Sequence, residues 1–145
     1  MSSPRKTTRP APAVAKGPSE IAPDVFVGGW KDAVAFAGTR FCVLDELPEG
    51  MPPATHVPIY DEATDAPILS NLDRLAKAIG VARGKGESVL VFCGHGVRRS
   101  PLAGAWYLHR SEKVTLDEAY HRIQAVRPKV ERASDWVGHP EVLDA

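Results

Sequence analysis

A cysteine, two glycines and an arginine stand together in Cys93-Gly94-His95-Gly96-Val97-Arg98-Arg99-Ser100-Pro101. These residue types can bind and attack a phosphate ester. A free thiol is mostly protonated at neutral pH, but a helix N-terminus and nearby cations favour the thiolate, which makes Cys93 the candidate nucleophile. The guanidinium of Arg99 can take two phosphoryl oxygens in a planar fork and offset charge as the ester breaks. Gly94 and Gly96 allow a tight turn whose N–H groups face inward, so the backbone of Gly94, His95, Gly96, Val97, Arg98 and Arg99 can cradle phosphate oxygens. The Ser100 hydroxyl can donate to the sulfur and make it a better leaving group.

Local structure must hold this set in place. Val89-Leu90-Val91-Phe92 is a short, β-branched apolar run of the kind that forms a buried strand, and it delivers Cys93 into the glycine loop. Ser100 suits an N-cap and Pro101 the first helical position, so a helix is expected to begin here with its positive end toward the loop. The alternative is that Cys93 merely ends a core strand and Arg99 is a solvated charge.

The segment resembles the Cys-x-x-Gly-x-x-Arg-Ser/Thr signature of cysteine-based protein phosphatases, and its surroundings are similar to the dual-specificity branch. Other matching features are Ile21-Ala-Pro-Asp-Val-Phe-Val-Gly28, Val57-Pro58-Ile59-x-Asp61, Glu118-Ala119 and Arg127-Pro128, so the resemblance covers about residues 20–143. It implies an α/β, protein-tyrosine-phosphatase-like fold: a central, largely parallel sheet flanked by helices, with the phosphate-binding loop between strand and helix. Alternating strand and helix patterns point to the same class. The resemblance also implies hydrolysis of phosphotyrosine and phosphoserine or phosphothreonine in proteins through a phosphocysteine. Arg127 is expected to be structural.

Breaking a phosphate ester also requires protonation of the departing oxygen. Asp61 is the candidate acid, placed in an acidic loop at the family's spacing from Val57-Pro58-Ile59, with a solvated turn residue as the alternative. Asp65 is better explained as the N-cap of a helix over 66–81 that carries Ile68, Leu72, Leu75, Ala76 and Ile79 at helical spacing, with Pro67 in its first turn. Glu62 has no assigned role.

Three departures from the family bear on activity. Phe92 stands where the family usually has a histidine, so the resemblance implies a Cys93 more basic than in relatives, although Arg99, the loop amides and the helix dipole remain. Arg132-Ala133 replaces a Pro-Asn pair that braces the loop. His95 and Arg98 make the loop basic, as in some relatives that act on phosphoinositides or inositol phosphates. Competing readings are therefore a phosphoinositide phosphatase, a catalytically weak phosphate-binding module, and a sulfurtransferase, whose cysteine also sits between strand and helix.

The remaining elements form the frame. Val25-Phe26-Val27 is a strand ending at Gly28-Gly29, Trp30–Phe36 a short helix with Trp30, Ala33, Val34 and Ala37 on its apolar face, and Phe41–Leu44 a second strand. The resembled fold puts these elements at the sheet edge. Cys42 is either a core thiol or, as in some relatives, a disulfide partner for Cys93. Gly84-Lys85-Gly86 ends one helix. Leu102, Ala103, Ala105, Trp106 and Leu108 face the core from the next, which ends near Arg110 and uses Ala103 and Gly104 for close packing. Thr115-Leu116-Asp117-Glu118 is a capping box opening a helix with Leu116, Ala119, Tyr120, Ile123 and Val126 inward, stopped before Pro128. Trp136 and Val142-Leu143 are expected to dock a final helix against the core, with contact to substrate as the alternative for Trp136.

At 145 residues with 43% apolar content, the chain can build one core. The expected organisation is a Pro-rich basic disordered tail over 1–18 and a catalytic domain over 19–145. Arg5, Lys6, Arg9 and Lys16 lie in the tail; without them 14 basic side chains face 18 acidic ones, a net charge of −4. Two cysteines fifty-one positions apart form no metal-ligand pattern, so no metal and no cofactor are expected. A reactive thiol fits a reducing compartment, and neither a membrane span nor a secretory signal is visible, which makes cytoplasmic location the expectation. A phosphorylated protein is the expected partner of a monomer, with phosphoinositide as the alternative and no nucleic acid.

Overall fold

The structure, a computed structural model, describes residues 17–137. In chain order it contains β1 (Ser19–Ala22), β2 (Val25–Gly29), α1 (Trp30–Ala35), β3 (Thr39–Cys42), β4 (Thr55–His56), β5 (Tyr60–Asp61), β6 (Ala66–Pro67), α2 (Leu69–Gly84), β7 (Val89–Cys93), α3 (Arg99–Glu112), α4 (Leu116–Val126) and a 3₁₀ turn at Ser134–Val137. The main sheet has the order β1-β2-β7-β3-β4, parallel except for the β1–β2 pair.

All five residues of β7 are buried, as its unbroken apolar run requires of a strand covered on both faces. It is paired on both sides, from Val25↔Val89 to Gly29↔Cys93 and from Thr39↔Val89 to Cys42↔Phe92. The strands β2 and β3 therefore flank the central strand; β1 and β4 are the edges, contrary to the expectation that the Val25–Val27 and Phe41–Leu44 runs lie at the edge. Because side chains alternate across the sheet, Val89, Val91 and Cys93 face the main core with Leu72, Leu75, Trp106 and Tyr120. Leu90 and Phe92 face a second cluster with Ala33 and Cys42. Both cysteines are free thiols, so Cys42 packs as a core residue.

Helix α1 opens where Asp32 accepts the Gly29 N–H at 2.9 Å, an acid in the first turn reaching back to the cap. Only Ala33 of its expected apolar face is buried; Trp30 and Val34 are exposed. Helix α3 presents Leu102, Ala103, Ala105, Trp106 and Leu108 inward as their spacing demands, and runs to Glu112, two residues beyond Arg110. A Cβ at Gly104 would lie 2.7 Å from Ile21 Cδ1 and 2.9 Å from Val27 Cγ1, so glycine lets α3 approach the sheet closely. Thr115 Oγ1 accepts from Glu118 N at 3.0 Å and starts α4, which buries Leu116, Ala119, Tyr120 and Ile123 but leaves Val126 exposed.

The helix expected over 66–81 begins later, at Leu69 with Ile68 as cap, and ends at Gly84. Asp65 is not an N-cap. It occupies the turn of the β5–β6 hairpin with φ +56°, a conformation aspartate tolerates better than most residues, and accepts the Tyr60 hydroxyl. Pro67 belongs to β6 rather than to the first helical turn. Ile68 N donates to Ile59 O at 2.8 Å, which closes the hairpin before the helix can start.

Candidate active site

The loop after β7 is held by its carbonyls. Trp30 N donates to Gly94 O at 3.2 Å and Glu131 N to Val97 O at 2.8 Å. Between them, Arg127 donates from Nη2 to His95 O at 3.3 Å and from Nε to Gly96 O at 2.9 Å. Four successive carbonyls thus point into the scaffold. In trans peptide planes the following N–H groups, of His95, Gly96, Val97 and Arg98, point the opposite way, into the concavity of the loop. Gly96 permits the turn with φ +71°.

Arg127 is buried and also donates from Nη1 to Gly17 O and Ser19 Oγ, both at 3.0 Å. Its guanidinium lies 3.9 Å from Asp32, and burial lowers its pKa from the usual arginine range. Bracing that the missing Pro-Asn pair would supply comes instead from Arg127 and the Glu131 backbone. Ala133 is fixed separately: its N–H donates to Tyr120 Oη at 3.1 Å.

Cys93 is 4% exposed at the floor of the loop. The Ser100 amide donates to Sγ at 3.4 Å. Sγ and Ser100 Oγ are also 3.4 Å apart, and the hydroxyl donates to Gly28 O at 3.0 Å. The hydroxyl has one proton, so serving the sulfur requires it to turn away from Gly28. Ser100 is not the N-cap. Arg98 holds that position and Arg99 begins the helix, because the loop closes two residues earlier and Leu102 N already bonds to Arg98 O at 3.1 Å.

Arg99 lies at the rim with 17% of its side chain exposed. Its Nη1 is 3.1 Å from Asp45 Oδ1 and its Nη2 2.8 Å from Glu62 Oε2. The guanidinium carbon is also 5.6 Å from the centre of the Tyr60 ring. Asp61 sits between those last two contacts on β5, and its carboxylate accepts the Ala63 N–H at 2.9 Å. Both sequence neighbours of Asp61 thus meet Arg99, while the Asp61 carboxylate itself is engaged within the hairpin.

Neither Asp45 nor Glu62 was expected at the site. Asp45 follows the apolar run of Phe41–Leu44 at the carboxyl end of a strand beside β7, and that position is the signal that points to it. Trp136 stacks on Tyr60 with ring centres 4.3 Å apart, and Arg98 lies 4.9 Å over Trp136 while pairing with Glu131 at 3.8 Å. Trp136 is thus carried by a single 3₁₀ turn that joins the core to the site's rim; Val142 and Leu143 lie outside the described residues.

A cleft of about 360 Å³ opens over the loop, lined by Leu44, Cys93, Gly94, His95, Val97, Arg98 and Arg99. A larger groove of about 470 Å³ lies between α2 and α3 on another flank, and its Asp73 is engaged by Trp106 Nε1 and Arg110 Nε. Among the described residues, no group of three or more His, Cys, Asp or Glu is placed to hold a metal ion, and no helix is long and apolar enough to cross a membrane.

A buried cysteine beneath inward-facing amides, with an arginine at the rim on an α/β sheet, defines the protein-tyrosine-phosphatase-like class. The chain belongs to the dual specificity phosphatase catalytic domain family, whose model matches residues 46–138. Rat dual specificity protein phosphatase 12 is 30% identical over 152 aligned positions, covering 91% of this chain and 43% of its own. The chain thus spans less than half the length of that relative. Human dual specificity phosphatase 28 is 28% identical over 77% of this chain and 68% of its own. Among solved structures, human DUSP28 superposes with a TM-score of 0.76 at 25% identity, covering 91% of this chain and 98% of that one. A mouse putative dual specificity phosphatase complexed with zinc tungstate gives 0.73 at 26% identity, covering 96% and 94%.

Proposed function

We propose that this chain is a cysteine-dependent phosphatase domain that hydrolyses phosphotyrosine and phosphoserine or phosphothreonine in proteins. What supports the reading is the loop whose four successive carbonyls bond to the scaffold, which leaves the following N–H groups facing the loop's concavity, where Cys93 lies at the floor. Sγ attacks phosphorus and the P–O bond to the leaving group breaks, giving a phosphocysteine. Asp61 gives its proton to the departing oxygen. Water, deprotonated by Asp61, then attacks phosphorus and releases phosphate and the thiolate. The amides of the 94–99 loop and the Arg99 fork hold the phosphoryl oxygens in both steps, while Ser100 serves the sulfur as it leaves.

Residues 19–145 form the catalytic domain in this reading and 1–18 a basic tail, in a cytoplasmic monomer. The test is phosphate release from an aryl phosphate between about pH 5 and about pH 9 by the intact protein, Cys93→Ser and Asp61→Asn. Turnover that needs Cys93, with the acid-dependent limb altered in Asp61→Asn, supports the assignment. Turnover retained in Cys93→Ser overturns it.

A second reading, a phosphoinositide or inositol-phosphate phosphatase, is favoured by the exposed His95 and Arg98 on the cleft wall. Preference for inositol phosphates over phosphopeptides in the same assay would select it. Phosphate binding without turnover would instead mark a binding module.

A further inference from the structure

Two carboxylates occupy the guanidinium that the reaction requires, and they are not equivalent. Asp45 is 34% exposed and follows a strand that is hydrogen-bonded to β7; Val43 N donates to Phe92 O at 3.0 Å just before it. Glu62 is 69% exposed at the outer end of the small hairpin. They hold different nitrogens, Asp45 on Nη1 and Glu62 on Nη2. Arginine has five N–H donors, and a phosphoryl group is best gripped through two parallel ones on an edge such as Nε–Nη2. Asp45 on Nη1 leaves that edge available. Glu62 takes a corner of it.

Building on the phosphatase reading, we propose that Glu62 stands in for the phosphoryl group on Arg99 in the free protein and yields Nη2 to it on binding, while Asp45 is the positioning residue that keeps the fork aimed at the loop. Exposed pairs of this kind are weak, so a dianion backed by loop amides displaces Glu62 readily. The half-buried Asp45 contact survives because its acceptor lies on the other nitrogen. Glu62 thus subtracts from substrate and product affinity alike, and Asp45 acts on the geometry of the reacting complex.

The probe is inorganic phosphate, titrated calorimetrically into the whole protein, alongside KM and kcat for an aryl phosphate. Glu62→Gln is expected to tighten phosphate binding about two- to fivefold and lower KM by a similar factor. Glu62→Asp keeps the charge but shortens the reach by one methylene, and is expected to move the same way. Asp45→Ala is expected to lower kcat, with Asp45→Asn, which still offers an oxygen to Nη1, recovering most of it. Unchanged or weaker phosphate binding in Glu62→Gln overturns the proposal. So does Glu62→Asp binding like the parent while Gln gains, since that would mark a general field rather than a displaced contact. A parent protein that neither binds phosphate nor turns over would overturn the phosphatase reading itself.

Discussion

Arg127 Nε donates to the carbonyl of Gly96 at 2.9 Å, so the residue that ends α4 fixes the residue that turns the phosphate loop. The same guanidinium reaches His95, Gly17 and Ser19. Lysine would keep the charge but lacks the planar geometry to satisfy these acceptors together. Arg127→Lys is therefore expected to cost about 2–4 kcal/mol in denaturant unfolding and to raise KM, because the loop amides lose their alignment. An unchanged unfolding midpoint would show that the brace is dispensable.

Gly96 and Gly94 should respond differently to alanine. At Gly96 the backbone has φ +71°, and a Cβ would lie 2.6 Å from Arg127 Nη2 and 2.7 Å from the Gly28 carbonyl carbon. Gly96→Ala is expected to destabilise by about 2 kcal/mol or more. At Gly94 no atom lies within 4 Å of an added Cβ, so Gly94→Ala should shift stability by about 0.5 kcal/mol or less. Thermal unfolding of the two variants side by side makes the comparison.

Ser100→Ala removes the hydroxyl that links Gly28 O to the sulfur. The cost in stability is expected to be about 1 kcal/mol. Under the proposed mechanism the larger effect falls on the second step, where sulfur leaves. Rapid mixing with an aryl phosphate should show a burst of aryl alcohol followed by slow turnover, and Ser100→Thr should abolish the burst.

Burial pushes the Tyr120 hydroxyl up to about 12. Its folded value lies above the unfolded one, so its contribution to stability is complete below about pH 10 and is lost as pH rises toward 12. By pH 11 the loss is about 1 kcal/mol. Tyr120→Phe should lack this slope, while being less stable at neutral pH because the Ala133 N–H loses its acceptor. Urea unfolding at several alkaline pH values measures the difference.

The strand and the turn of the site are legible because their signals fall within the consecutive residues 89 to 98 and are written in local chemistry, whereas Ser100 and Pro101 place the helix start two residues late. What surrounds Arg99 is not legible. Asp45 and Glu62 are 54 and 37 positions away, and nothing in a run of acids says which will meet a particular guanidinium. Asp65 was misread because Ile68 fits both the helical spacing and a strand end; the hairpin bond from Ile68 N to Ile59 O decides against the earlier start. Trp136 packs against the core as its type suggests, but from a 3₁₀ turn rather than the expected helix, and its stacking on Tyr60 depends on a tertiary contact that no periodicity encodes.

The placement of the two thiols also shapes how the protein meets oxidants. Cys93 faces the main core and the loop, whereas Cys42 faces the opposite cluster with Phe92 between the strands' far sides. A disulfide cannot form through a paired sheet without parting its strands. A sulfenic acid at Cys93 would thus reach Cys42 only by such a parting of β3 from β7, and in the paired sheet its repair would fall to small-molecule thiols or another protein.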